Sequence, residues 1–163
     1  MESTQRTRVL IVANRTASTP RLIDAVRLRA EAGPCEFALL IPDASDRKAA
    51  DWTLDTALRL LRPAARRPVE GLVSSGDPFE SVKQAVSEGD FDEIIVSTLP
   101  RRTSKWLRRD LIRRVEDMGL PVTAVVPKGG RMSAEDQLLL AGAAGASVGD
   151  VGLGGSRTPD ARP

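Results

Sequence analysis

Seven basic residues stand between Arg101 and Arg114, opposed only by Asp110. Guanidinium groups grip phosphate and carboxylate oxygens in bidentate fashion, so this concentration attracts anions over about a Debye length. The stretch STLPRRTSKWLRRDLIRRV, Ser97 to Val115, follows an apolar run ending at Val96. It contains no glycine, and Pro100 has no N–H to offer a phosphate. Thr103 and Ser104 suit a helix cap, flanked by Arg101, Arg102 and Lys105. At helical spacing Lys105, Arg109 and Arg113 fall opposite Leu107, Leu111 and Val115, as a solvated face requires. Arg101 and Arg102, in the preceding loop, are open to either reading, ligand or solvent. Trp106 sits about 100° from Leu107 and reads as packing at the core edge, with base stacking or a subunit contact as alternatives.

A second group of hydroxyls and amides lies in ANRTASTPR, where Asn14, Arg15, Thr16, Ser18 and Thr19 follow the first apolar run. These residue types can hold a phosphate or a ribose; otherwise they line a solvated turn, with Thr19 capping the next helix. The loop matches neither GxxxxGK[ST] nor GxGxxG. Nor does it carry the carboxylates of a receiver-type acidic pocket.

Other chemistry is excluded by composition. The chain has no histidine, which removes the Ser-His-Asp triad, histidine general bases and imidazole metal ligands. Its one cysteine, Cys35, has no intrachain disulfide partner and reads as a small residue at a strand start. No constellation of base, nucleophile and metal ligands emerges, so the chain reads as non-enzymatic, with no metal site. The basic run lacks interleaved aromatics and any known reading motif, which argues against nucleic acid as a partner.

The elements that must position these groups alternate strictly. RVLIVA (Arg8–Ala13), EFALLI (Glu36–Ile41), VEGLVS (Val69–Ser74), EIIVST (Glu93–Thr98) and VTAVV (Val122–Val126) read as strands. The first, fourth and fifth are nearly continuous apolar runs, as expected of strands covered on both faces. Helices are expected from Pro20 to Ala32, from about Asp46 to Leu61, from Pro78 after its cap Asp77, and from near Thr103 or Ser104 to Met118. Gly33, Gly89 and Gly119 are expected as left-handed helix caps. Five strands and four helices in alternation make an α/β fold: a mostly parallel sheet with helices on both faces. In such sheets ligands sit at the carboxyl ends of the strands. Here those ends are Asn14 to Thr19, Ile41 to Ser45, and Ser97 to Ser104.

With 163 residues the chain accommodates one domain and some tail. Residues 1–7 read as a flexible N-terminus without the apolar stretch of a signal peptide, 8–127 as the domain, and 128–163 as a disordered tail rich in glycine and alanine. No run approaches the ~18 apolar residues of a membrane helix. Together with the lone cysteine, this points to the cytoplasm and away from membranes.

In this order the pieces RVLIVAN, GDPFESVKQAV, FDEIIVST and GLPVTAVVP resemble the universal stress protein family, over roughly Arg8 to Val126. The resemblance implies a three-layer sandwich with strand order 3-2-1-4-5, a cytoplasmic stress-response role and a homodimer through strand five, at Val122, Ala124 and Val126. It also implies ATP or another adenine nucleotide between strands one and four. Family members that bind ATP carry an aspartate after strand one and a Gly-x-x-Gly pair followed by Gly-Ser or Gly-Thr. Here the aspartate position is Asn14, and the paired glycines fall on Ser97 and Pro100. The later glycine falls on Asp110 or Arg108, depending on the counting direction. ATP is therefore not expected in the family's usual manner, because side chains at the glycine positions block close backbone approach. Thr98, Thr103, Ser104 and the added arginines leave another nucleotide or phosphorylated ligand open. The candidate ligand residues are Asn14, Arg15, Thr16, Ile41, Thr98, Arg101, Arg102, Thr103 and Ser104. The competing reading is a ligand-free homodimeric regulatory module of the same fold.

Overall fold

The computed structural model describes residues 5–99 and 110–126. Five strands, β1 (Thr7–Val12), β2 (Cys35–Ile41), β3 (Val69–Val73), β4 (Glu93–Ser97) and β5 (Val122–Val125), form one sheet. All pairings are parallel, in the order β3-β2-β1-β4-β5. Each strand lies within a residue of its expected bounds at either end. The sheet is parallel because consecutive strands are joined through helices, which return the chain to the same end of the sheet before the next strand begins.

Helices α1 (Pro20–Ala32) and α2 (Arg47–Ala65) cover one face, packing on Val9, Ile11, Leu39, Ile41 and Ile95. Helix α3 (Pro78–Gly89) and the short α4 (Leu111–Glu116) cover the other, over Leu10, Val12, Ala38, Ile94 and Val96. With both faces of β1 covered, Val9 to Val12 are fully buried, which accounts for the unbroken apolar run. Asp77 caps α3 by accepting from the N–H groups of Phe79 and Glu80, and Asp46 caps α2 through the N–H of Ala49. The guanidinium of Arg114 lies 4.0 Å from the Phe79 ring centroid and ties α4 to α3.

Several expectations are corrected. Helix α2 does not stop at Leu61: it runs through Pro63 to Ala65. Leu61, Ala64 and Ala65 are buried, and that burial offsets the hydrogen bond proline cannot make. Arg66, not a glycine, ends it in the left-handed region at φ 54°. Of the three glycines expected as left-handed caps, only Gly119 has a left-handed backbone, at φ 88°, and it lies two residues beyond Asp117, the cap position of α4. Gly33 has extended backbone (φ 165°), and Gly89 is the last residue of α3, with Asp90 taking the left-handed conformation. Thr19 occupies the cap position of α1, yet its hydroxyl donates backwards to the Thr16 carbonyl.

The fourth helix differs most. Asp110 stands at φ 52° and ψ 35°, so no single helix runs from Thr103 to Met118; α4 begins afresh at Leu111. Lys105 and Arg109, expected to share a solvated face with Arg113, lie outside the described residues. Leu111 and Val115 are buried as expected, and Met118 packs half-buried beside them. The expected helix start, Trp106, Leu107 and the tail from residue 127 onward lie outside the described residues. Among the described residues no helix is long and apolar enough to cross a membrane.

Candidate functional site

The strand order reverses direction at β1 and β4. Chain connections leave these neighbours toward opposite sides of the sheet, opening a crevice at their carboxyl ends. The loop after β1 enters it through a series of side-chain to backbone bonds. Asn14 donates its amide to the Pro42 carbonyl at 2.9 Å, tying the end of β1 to the loop after β2. Thr16 donates its hydroxyl to the Ser97 carbonyl at 2.9 Å, tying the same loop to the end of β4. The N–H of Ala17 bonds the Asn14 carbonyl and that of Thr19 the Thr16 carbonyl, which winds the loop into the first turn of α1.

Of the candidate ligand residues, the structure brings Thr16 and Thr98 to this crevice, buried, with Arg15 exposed on its loop. Thr98 continues the β4 line: its N–H bonds the Val125 carbonyl and its hydroxyl donates to the Leu99 carbonyl. Ile41 lies wholly inside the core beneath. Arg101, Arg102, Thr103 and Ser104 lie outside the described residues. The hydroxyl protons of Thr16 and Thr98 are thus committed to carbonyls. Their oxygens can still accept, and the unpaired N–H groups at the start of α1 favour negative charge. Asp110, where the resemblance puts the later glycine on one count, keeps a left-handed backbone without being glycine.

No group of three or more acidic, cysteine or histidine side chains among the described residues is arranged to hold a metal ion. Cys35 is buried at the start of β2. Burial pushes its thiol above the usual range, only partly countered by the Arg29 and Arg67 guanidiniums. A thiol held neutral is a poor nucleophile, in keeping with a packing role. Arg29 donates to Glu93 at 2.8 Å and clamps α1 to the start of β4; the bond raises the Arg29 pKa further. Sequence reasoning missed a charged hollow at the amino ends of β1, β2 and β3, on the far side of the sheet from the crevice, around Arg6, Arg8 and Arg67. Its residues are scattered over three strand starts, and only their alignment in the sheet joins them.

No family model matches the chain, and no curated protein matches it. Solved structures do. A universal stress protein from Archaeoglobus fulgidus shares 18% identity at a TM-score of 0.51, covering 73% of this chain and 93% of its own. A protein of the universal stress protein family from Burkholderia pseudomallei shares 14% identity at 0.51, covering 75% and 97%. Strand order, crossover pattern and these likenesses agree: the chain has the universal stress protein fold.

Proposed function

We propose that this chain is a stress-response domain that holds a nucleotide or another phosphorylated ligand in the crevice between β1 and β4. The supporting observation is the meeting of two hydroxyl-bearing residues, Thr16 and Thr98, at the one point where strand order reverses. Arg15 and the following Arg101, Arg102, Thr103 and Ser104 supply the anion contacts that glycine amides supply elsewhere. ATP or another adenine nucleotide is the first ligand to test. The reading is of binding without turnover: among the described residues no group of three or more acidic, cysteine or histidine side chains is arranged to hold a metal ion, and the sequence has no histidine. The cytoplasm suits it, because its one thiol is buried and unpaired.

The test is calorimetric titration with ATP at low and raised salt. Saturable binding that weakens with salt, and weakens further on replacing Arg101 and Arg102 together by alanine, supports the reading. No heat at low salt removes it.

A second reading, the ligand-free homodimeric module, is favoured by β5. This strand lies at the sheet edge and exposes Thr123 and Ala124, with Val122, Val125 and Val126 half-buried. An edge of this kind pairs readily with a second copy. Native mass spectrometry separates the readings by reporting subunit number and any retained ligand together.

A further inference from the structure

Among the described residues the large hydrophobic side chains left exposed are Leu28, Trp52 and Leu60, at 67%, 47% and 36%. All three stand on α1 and α2, the layer over one face of the sheet; the described side chains of α3 and α4 add none. Helical spacing accounts for their position. Leu28 lies seven residues, about 10 Å, along α1 from Arg21 and shares its outer face, away from the buried Leu22 and Val26. Lys48, Trp52, Arg59 and Pro63 recur along the outer face of α2, all exposed, opposite the buried Ala50, Ala57 and Leu61. Scattered apolar residues on a surface need no partner. Here they accompany surplus charge. Lys48, Arg59 and Arg62 make no ion pair among the described residues, against the single unpaired acid of α2, Asp55.

The chain leaves the sheet beside this same layer. Helices α1 and α2 both begin at the carboxyl end of the sheet, where β5 ends. Val125 packs on the α1/α2 core, and the Val126 carbonyl accepts from the guanidinium of Arg21, in the first turn of α1, at 3.3 Å. Residues 127–163 follow, outside the described residues. Their sequence holds one stretch that joins acid to a leucine run, SAEDQLLLA (Ser133–Ala141), with Glu135 and Asp136 ahead of Leu138, Leu139 and Leu140. From Val126 to Leu139 the extended chain reaches about 40 Å. Neighbouring packed helices stand roughly 10 Å apart, so α2 is within reach across α1.

We propose that Ser133–Ala141 docks on the outer face of the α1/α2 layer of its own chain. Its leucines cover Trp52 and Leu60, and its two carboxylates meet Arg59 and Arg62. Leu28 marks the near side of the path from Val126. The tether favours this occupant over a second copy or another protein. It holds the segment at an effective concentration of order mM, so a small apolar contact suffices. The docking is independent of what the β1/β4 crevice holds.

The test uses the isotope-labelled full chain and reads the indole N–H of Trp52, assigned by its loss in Trp52→Phe. Leu138→Ser, Leu139→Ser and Leu140→Ser together are expected to shift that signal and the amides of Arg59 and Leu60, leaving Val82 and Ala85 of α3 unmoved. A spin label at Gln137→Cys, in a Cys35→Ala chain, is expected to broaden the same α2 signals, and the three serine substitutions to abolish the broadening. Unchanged Trp52 and Leu60 signals in the serine chain overturn the proposal. So does a spin label that broadens α3 as much as α2. Spin-labelled chains mixed with unlabelled isotope-enriched ones should give no broadening between chains; broadening there assigns the face to a second copy and also overturns it.

Discussion

Thr16, in the loop after β1, donates its hydroxyl to the carbonyl of Ser97, the last residue of β4, at 2.9 Å, and both residues are buried. The β1–β4 ladder pairs Val9 with Glu93 through Val12 with Val96, so this side chain extends the pairing past the end of the strand. Thr16→Val keeps the shape and removes the donor. A net loss of about 1 kcal/mol is expected, because a buried bond is removed without refilling water. Urea denaturation reads that loss, and Thr16→Ser should recover most of it. If Thr16→Val is as stable as the native chain, the bond contributes nothing to the crevice.

Gly89 ends α3 directly against the buried Phe91 ring. A Cβ there would stand 3.0 Å from Phe91 Cδ2 and 3.2 Å from Cζ. In an unobstructed helix Gly→Ala gains about 1 kcal/mol, but displacing a packed ring costs about 1–3 kcal/mol. The ring is also fixed by the stacked Arg8, so the clash wins and Gly89→Ala lowers the melting temperature. A rise instead would mean the ring turns aside freely.

Cys35 makes stability depend on pH in the alkaline range. Burial raises its pKa in the folded chain above the ordinary 9.0. The contribution is therefore complete below that value. It is lost as pH rises from there through the folded pKa, because the unfolded chain releases the proton first. Chemical denaturation of native and Cys35→Val chains should diverge in slope above about pH 9. Parallel profiles would show that the thiol titrates alike in both states.

Dimerisation through β5 is best probed where the strand is exposed. Val125 packs on the α1/α2 core and Val122 on the α3/α4 core, so a charge at either would also damage folding. Ala124 is exposed. Ala124→Lys should leave the unfolding free energy of the chain within about 0.5 kcal/mol of native while lowering the mass seen by light scattering to that of one chain. Native and variant chains of equal mass would remove β5 as the interface.

The scaffold was legible because the evidence for it is local. Val9 to Val12 and Ile94 to Val96 read as doubly covered strands because no polar residue interrupts them. Pro20 and Asp77-Pro78 mark helix starts through restricted φ and a side-chain acceptor. Features set by the neighbours of a residue were not legible in this way. Helix α2 reads as ending near Leu61 until Ala64 and Ala65 are seen buried beyond Pro63. Gly89 reads as a cap until its carbonyl is found holding Arg8.

By itself the sequence determined the alternation of strand and helix and the exclusion of histidine chemistry, because periodicity and composition need no partner. The resemblance it carries supplied the strand order. Only the tertiary structure decided that the Thr16 hydroxyl is committed to Ser97, that Asp110 takes a left-handed backbone just before α4, and that Arg6, Arg8 and Arg67 share one hollow. Each of these depends on residues far apart in the chain or on a backbone dihedral. Such relationships acquire an energy only when packing brings the groups together.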